Sequence, residues 1–284
     1  MRKDGKRVRN LDPYFEIVPY IMNKRVDAQN MFHADIPLEP IDSFIKAKRA
    51  EGKYVSHLGL LIAAYLRMAS QNPQINRFVV NKKIYARNHF CVSFVVLKKN
   101  MVTGETAPTV VKAHFKLNET VYEVSNIIAD IIKKNSKTEY QNPMDKLLKA
   151  IFRMPALVTF AVAVLKLLDR YGLLPRSVLE GSPFHTSLFV TNMASLKTNY
   201  IYHHAYEFGT TTVFIAMGKN SKKLEMVDGQ VKEVKYMPIG VVTDERIADG
   251  HYYSRCFREI EKYLANPETL ENPPETVKRE IEWK

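Results

Sequence analysis

Glycine-rich phosphate loops are missing from this 284-residue chain, and with them the usual signatures of nucleotide hydrolysis and of dinucleotide-binding folds. There is no Gly-x-Ser-x-Gly elbow to present a hydrolase serine. The eight histidines show no His-Glu-x-x-His or comparable ligand spacing, so no metal is expected. Cysteine is scarce. Cys91 falls in a predicted strand and Cys256 in a predicted helix, which excludes a disulfide framework and fits buried, reduced thiols in a cytoplasmic protein. No Gly/Ser- or Pro-rich linker divides the chain, and no internal repeat is visible. The most apolar stretch, residues 151–168 (IFRMPALVTFAVAVLKLL), is interrupted by Arg153, Pro155 and Lys166. It falls well short of the ~20 residues that a membrane span needs, so a buried or interface helix is expected there.

What is present is an ordinary globular composition, 46% hydrophobic and 25% charged, with enough apolar material for a sizeable core. Forty-two Lys and Arg against 30 Asp and Glu give a net charge of +12. That balance serves solubility and also attracts anionic small ligands, nucleic acid or an anionic surface. Part of the excess sits in the first ten residues, MRKDGKRVRN, which read as a loose basic arm over 1–14. The arm carries no aromatic-basic motif, so nucleic acid is an unlikely partner. LDPYFEIVPY follows where a signal peptide would need an apolar segment.

Helices and strands interleave. Residues 31–39 read as a strand and 40–52 as a helix with Gly52 past its end. Leu58, Leu61, Ile62, Tyr65, Leu66 and Ala69 recur on one helical face that Asn72-Pro73 terminates. Strands are expected over 78–86, 89–97 and 109–117, with residues 100–108 as a loop. A helix follows over 120–134, opened by a Thr120/Glu123 capping box, and a helical stretch runs to about residue 172. Strands return over 185–193 and 211–219, then as a hairpin around Asp228-Gly229 and a strand ending near Thr243. The last helix places Tyr252, Tyr253, Cys256, Phe257, Ile260, Tyr263 and Leu264 on one face, and a polar surface tail covers 271–284. The pattern gives one α/β domain, a two-layer sandwich with a mixed sheet.

Where that last strand meets the last helix stands Asp244-Glu245-Arg246-Ile247-Ala248-Asp249-Gly250. Upstream lie LFVTNMAS (188–195) and FIAMG (214–218). Together these resemble the C-terminal half of the dihydrolipoyl acyltransferase catalytic domains of 2-oxoacid dehydrogenase complexes. Those domains share their fold with chloramphenicol acetyltransferase, and their motif reads Asp-His-Arg-x-x-Asp-Gly. The order of elements over residues 35–78 is also similar, and the resemblance covers roughly residues 15–270. It implies a chloramphenicol acetyltransferase-like fold, a homotrimer with each active site between two subunits, coenzyme A or acyl-coenzyme A as substrate, and an acyl acceptor it leaves unnamed. It also implies that Thr191 stabilises the oxyanion and that Asp249 pairs with an arginine from the N-terminal part, for which Arg25 is the candidate. No lipoyl domain is present in this chain, so a stand-alone catalytic-type domain is expected.

The family histidine is Glu245 here. A glutamate's carboxyl oxygen lies as many bonds from Cα as the outer nitrogen of histidine, so the reach is comparable. An ordinary glutamate is about two pKa units less basic than histidine, roughly 3 kcal/mol of driving force. Three readings follow: Glu245 is a carboxylate base tuned by burial, or the centre has lost transferase chemistry and the protein is an oligomeric scaffold or ligand-binding protein, or another residue supplies the base. His203, His204 and His185 are the alternative bases because they flank the Thr191 strand; His251 reads as structural. Asp249 and Gly250 also have a purely local reading, as a helix N-cap and a turn residue.

Overall fold

A computed structural model describes residues 2–99, 106–136, 155–227 and 229–283. Residues 100–105 of the expected loop, 151–154 of the apolar stretch and Asp228 lie outside them.

The N-terminal arm is not loose. Its strand β1 (Gly5–Arg7) begins the chain, followed by helix α1 (Pro13–Ile21), edge strand β2 (Gln29–Pro37), α2 (Leu38–Ala50) and α3 (His57–Gln71). Next come the short strands β3 (Arg77–Val80) and β4 (Lys83–Arg87). β1 pairs antiparallel with β4, which pairs with β3, in a small three-stranded sheet. Arg2 anchors the arm: its guanidinium meets Asp4 and Asp169, each at 2.8 Å, and all three side chains are almost fully buried. Long-range pairing outweighed a composition that reads as solvated.

The single strand expected over 78–86 is this β3–β4 hairpin. It turns at Asn81 and Lys82, whose φ angles of 49° and 59° are the two left-handed residues of a tight hairpin turn. Asn-Lys lacks the glycine that makes such turns visible in a sequence.

The main sheet then forms from β5 (Phe90–Lys99), β6 (Thr106–Phe115), β7 (Leu188–Asn192), β8 (Val213–Met217), β9 (Ser221–Val227) and β10 (Gln230–Asp244). Its order is β2-β10-β8-β7-β5-β6, with β9 paired to the first half of β10. β5–β7 and β7–β8 are parallel and the other pairs antiparallel, so the sheet is mixed, as expected. The expected hairpin forms between β9 and β10, and its second arm runs on into the expected terminal strand as one 15-residue strand.

Alternate residues decide the two faces. Phe90, Val92, Phe94, Leu188, Val190, Val213, Ile215, Ile239 and Val241 join the core beneath α2, α3, α4 (Val121–Ser136) and the later C-terminal helix. The capping box holds α4, with the Thr120 N–H donating to Glu123 at 2.7 Å. The opposite face carries Phe189, Phe214 and Val242 and is covered by the chain near residues 200–209. Gly240 is required there, since a Cβ would lie 2.6 Å from the Tyr200 ring and 2.7 Å from the Ile201 carbonyl oxygen.

Helix α5 (Pro155–Arg170) is not buried within one chain, which leaves the interface half of the expectation: Leu157, Phe160, Val162 and Leu167 are exposed. Among the described residues no helix is long and apolar enough to cross a membrane. A short helix α6 (Arg176–Gly181) precedes β7, and α7 (Gly250–Ala265) closes the fold with the expected buried stripe. The C-terminal tail is strapped down. Leu270 is buried, Val277 and Trp283 pack on the core, and Glu280 accepts from Arg77 Nε at 2.9 Å.

Candidate functional site

The motif turn hangs on a buried carboxylate. Asp244 ends β10 on the face away from the helices and has no solvent exposure. Its oxygens accept from Arg246 Nε at 2.8 Å and Nη2 at 2.7 Å, and from the Arg246 N–H at 3.2 Å. Arg25, arriving from just before β2, contributes its Nε at 3.3 Å. Burial pushes the Asp244 carboxyl up, but the hydrogen bonds and charge of Arg246 and the charge of Arg25 outweigh it and hold the group below its ordinary value. The Tyr253 hydroxyl of α7 donates to the Asp244 carbonyl at 2.9 Å, and the Glu245 N–H donates to the Ala28 carbonyl at 2.8 Å. The turn is thus tied to the segment before β2 and to α7.

Arg25 also fixes the segment that covers the outer face. It donates through its guanidinium to the carbonyls of Tyr206 and Gly209, and its backbone N–H reaches Glu207 at 2.7 Å. Arg25, the arginine expected to pair with Asp249, meets Asp244 of the motif turn instead. Asp249 has the local role: it caps α7, accepting from the Tyr252 N–H at 2.7 Å. Gly250 is not demanded by the backbone, because a Cβ there would meet nothing within 4 Å.

With Arg246 committed to Asp244, Glu245 is left half-exposed at a groove of about 580 Å³. Asn30 and Phe32 of β2, Thr243, and Tyr253 and Phe257 of α7 line it, with Arg258 and Glu261 farther along the helix. Edge-to-face packing of Phe32 on Phe257, 4.9 Å between centroids, sets the apolar wall. A second cavity of about 350 Å³ lies on the other side of the turn; Lys82, Lys166 and Arg170 add charge there to Arg25 and Arg246, against Asp169 and Glu207.

Thr191 lies elsewhere. It pairs with Ala216, which pairs with Gly240, four residues before Asp244. At ~4.8 Å per strand and ~3.3 Å per residue, Thr191 and Asp244 are roughly 16 Å apart at the backbone. Thr191 faces away from the helices, is half-buried, and its hydroxyl points to Met193 Sδ at 3.9 Å. One copy of the chain therefore does not bring Glu245 and Thr191 together.

The histidines divide. His185 is buried, with Nδ1 2.8 Å from Ser182 Oγ and Nε2 3.2 Å from Asp169, in the cluster that anchors Arg2. His203 stacks on Phe214 with 4.2 Å between centroids, on the same face as Thr191, and His204 stacks on His203. His251 is exposed at the start of α7.

Residues 189–271 match the family described as 2-oxoacid dehydrogenases acyltransferase (catalytic domain). The chain carries the fold of these acyltransferase catalytic domains. It is similar to a probable dihydrolipoamide acetyltransferase from Listeria monocytogenes, at 11% identity and TM-score 0.56, over 92% of this chain and 95% of that one. The cubic core of a pyruvate dehydrogenase multienzyme complex matches at 10% identity and TM-score 0.58, over 93% of each chain. A chloramphenicol acetyltransferase matches at 15% identity and TM-score 0.50, over 92% of this chain and 99% of that one. No protein of curated function matches the sequence. The acyltransferase fold expected from the sequence is thus the one observed.

Proposed function

We propose that the protein is a coenzyme A-dependent acyltransferase in which Glu245 replaces histidine as the general base, and that it works as a homotrimer with each site shared by two copies. The observation that carries this reading is Glu245 itself. Its backbone is pinned by the Asp244–Arg25–Arg246 cluster and by Ala28, and Glu245 lines a groove of about 580 Å³.

In the forward reaction the Glu245 carboxylate takes the proton of an acceptor thiol or hydroxyl as that group attacks the thioester carbonyl of acyl-coenzyme A. The carbonyl oxygen becomes an oxyanion and accepts a hydrogen bond from the Thr191 hydroxyl of a neighbouring copy. Collapse of the tetrahedral species breaks the carbon–sulfur bond, and the departing coenzyme A sulfur recovers the proton from Glu245. The basic cavity on the far side of the motif turn suits the phosphate groups of the donor.

Calorimetric titration with coenzyme A and acetyl-coenzyme A tests the donor directly, because no acceptor has to be known. Micromolar binding that weakens with added salt is the expected result. Absence of binding up to millimolar ligand would remove this donor and leave the scaffold reading.

A further inference from the structure

A second group of ligating side chains lies apart from the motif, on the face of the sheet away from the helices. Cys91 and His114 stand opposite one another in the β5–β6 ladder. His89 lies in the bend one residue before β5. One ligating atom from each of these three residues lies within 4.8 Å of the other two. Glu180 of α6 adds a carboxylate oxygen 3.1 Å from His114 Nε2. His89, His114 and Glu180 line a small cavity of about 80 Å³. Cys91 is fully buried beside them, while His114 and Glu180 are 47% and 44% exposed in their side chains and leave a way in from solvent.

We propose that His89, Cys91, His114 and Glu180 form a binding site for a borderline-soft divalent metal ion, zinc being the best fit. Two imidazoles, a thiolate and a carboxylate make a four-ligand set of the kind zinc accepts. The Nδ1 of His89 donates to Asn88 Oδ1 at 2.9 Å, which fixes the ring and leaves Nε2 as the ligand, the outer contact that orients metal-bound histidines. On binding, the Cys91 S–H bond breaks as the sulfur–metal bond forms, and the proton passes to water.

The surrounding charges both help and oppose. Lys112 and Arg176 line the same cavity and repel the ion. Asp4 and Glu180 oppose them, Arg176 Nε is held by Glu180 at 3.1 Å, and Lys112 already donates to the carbonyls of Leu179 at 2.7 Å and His185 at 2.9 Å. A tetrahedral zinc site holds its ligand atoms roughly 3.3–3.8 Å apart. Closing the site takes a contraction of about 1 Å, which rotation of the half-exposed His114 side chain supplies. Strands β5 and β6, helix α6 and the bend just before β5 contribute the four ligands, so no local spacing marks the set, and the proposal departs from the sequence expectation of no metal.

Titration of the full-length chain with Co²⁺, followed by Zn²⁺, tests the site without reference to enzymatic activity. One equivalent of cobalt should produce a thiolate-to-cobalt charge-transfer band in the near ultraviolet, and one equivalent of zinc should remove it. The band should be lost in Cys91→Ser. In His114→Gln, which alters an exposed side chain outside the core, affinity should fall at least tenfold with an unchanged circular dichroism spectrum. Absence of the band at millimolar cobalt in the wild-type protein would overturn the proposal, as would a band that persists in Cys91→Ser or is unaffected in His114→Gln.

Discussion

Replacing Asp244 with asparagine should cost about 3–5 kcal/mol of folding stability, the expected penalty for breaking a buried ion pair by removing one member. The substitution conserves shape and leaves two guanidinium groups, Arg25 and Arg246, buried without their shared anion. Denaturant unfolding should show the loss as a lower midpoint with little change in slope. The pH dependence follows from the direction of the shift. The folded-state pKa of Asp244 lies below its ordinary value of 3.8, so its contribution is complete above that value and disappears as pH falls through the folded-state pKa. Asp4 and Asp169, also held low in the Arg2 cluster, act in the same sense. The wild-type protein should therefore lose stability steeply below about pH 4, and Asp244→Asn should lose less over that interval because part of the effect is already gone. A variant as stable as wild type at pH 7 would show that the cluster does not hold the turn.

The second large effect falls on the neighbouring residue and leaves stability alone. Glu245→Gln keeps size and polarity at a half-exposed position, outside the buried cluster, so its stability should stay within about 0.5 kcal/mol of wild type. Acyl transfer should fall by roughly 10²–10⁴-fold, the usual contribution of a general base. Glu245→His should raise transfer by about tenfold near neutral pH, because histidine is the stronger base there. Initial rates with acetyl-coenzyme A and a small dithiol or alcohol acceptor measure both. Equal rates for wild type and Glu245→Gln would move the base elsewhere, and His203 would be the first residue to examine, since it lies on the Thr191 face.

These two adjacent residues show what the sequence could and could not reveal. The position of Glu245 between a strand and a capped helix was legible, because an apolar run ends at an acid and a 3.6-residue stripe begins after Asp249. The helices α3, α4 and α7 were legible for the same reason: their buried residues repeat within one short window. Arg25 was singled out correctly, but its true partner was not, since 219 positions separate it from Asp244 and Asp249 offered the same charge. The basic arm and the polar tail were misread by composition. Arg2 finds Asp169 and Arg77 finds Glu280 only through tertiary contacts across 167 and 203 positions. The β3–β4 turn escaped because Asn81 and Lys82 adopt left-handed geometry without glycine. For α5 the sequence left burial and interface both open, because periodicity reports amphipathicity and not what covers it.

The division of the proposed site between two copies is the claim with the widest consequences, because Thr191 and Glu245 are too far apart in one chain to meet. Subunit complementation tests it most directly. Thr191→Val and Glu245→Gln should each be nearly inactive alone. Denatured together in equal amounts and refolded, they should regain about a quarter of wild-type transfer activity, since each mixed trimer contains one interface with both native residues. No recovery above the two parental activities, with mixed trimers verified by mass, would contradict a shared site.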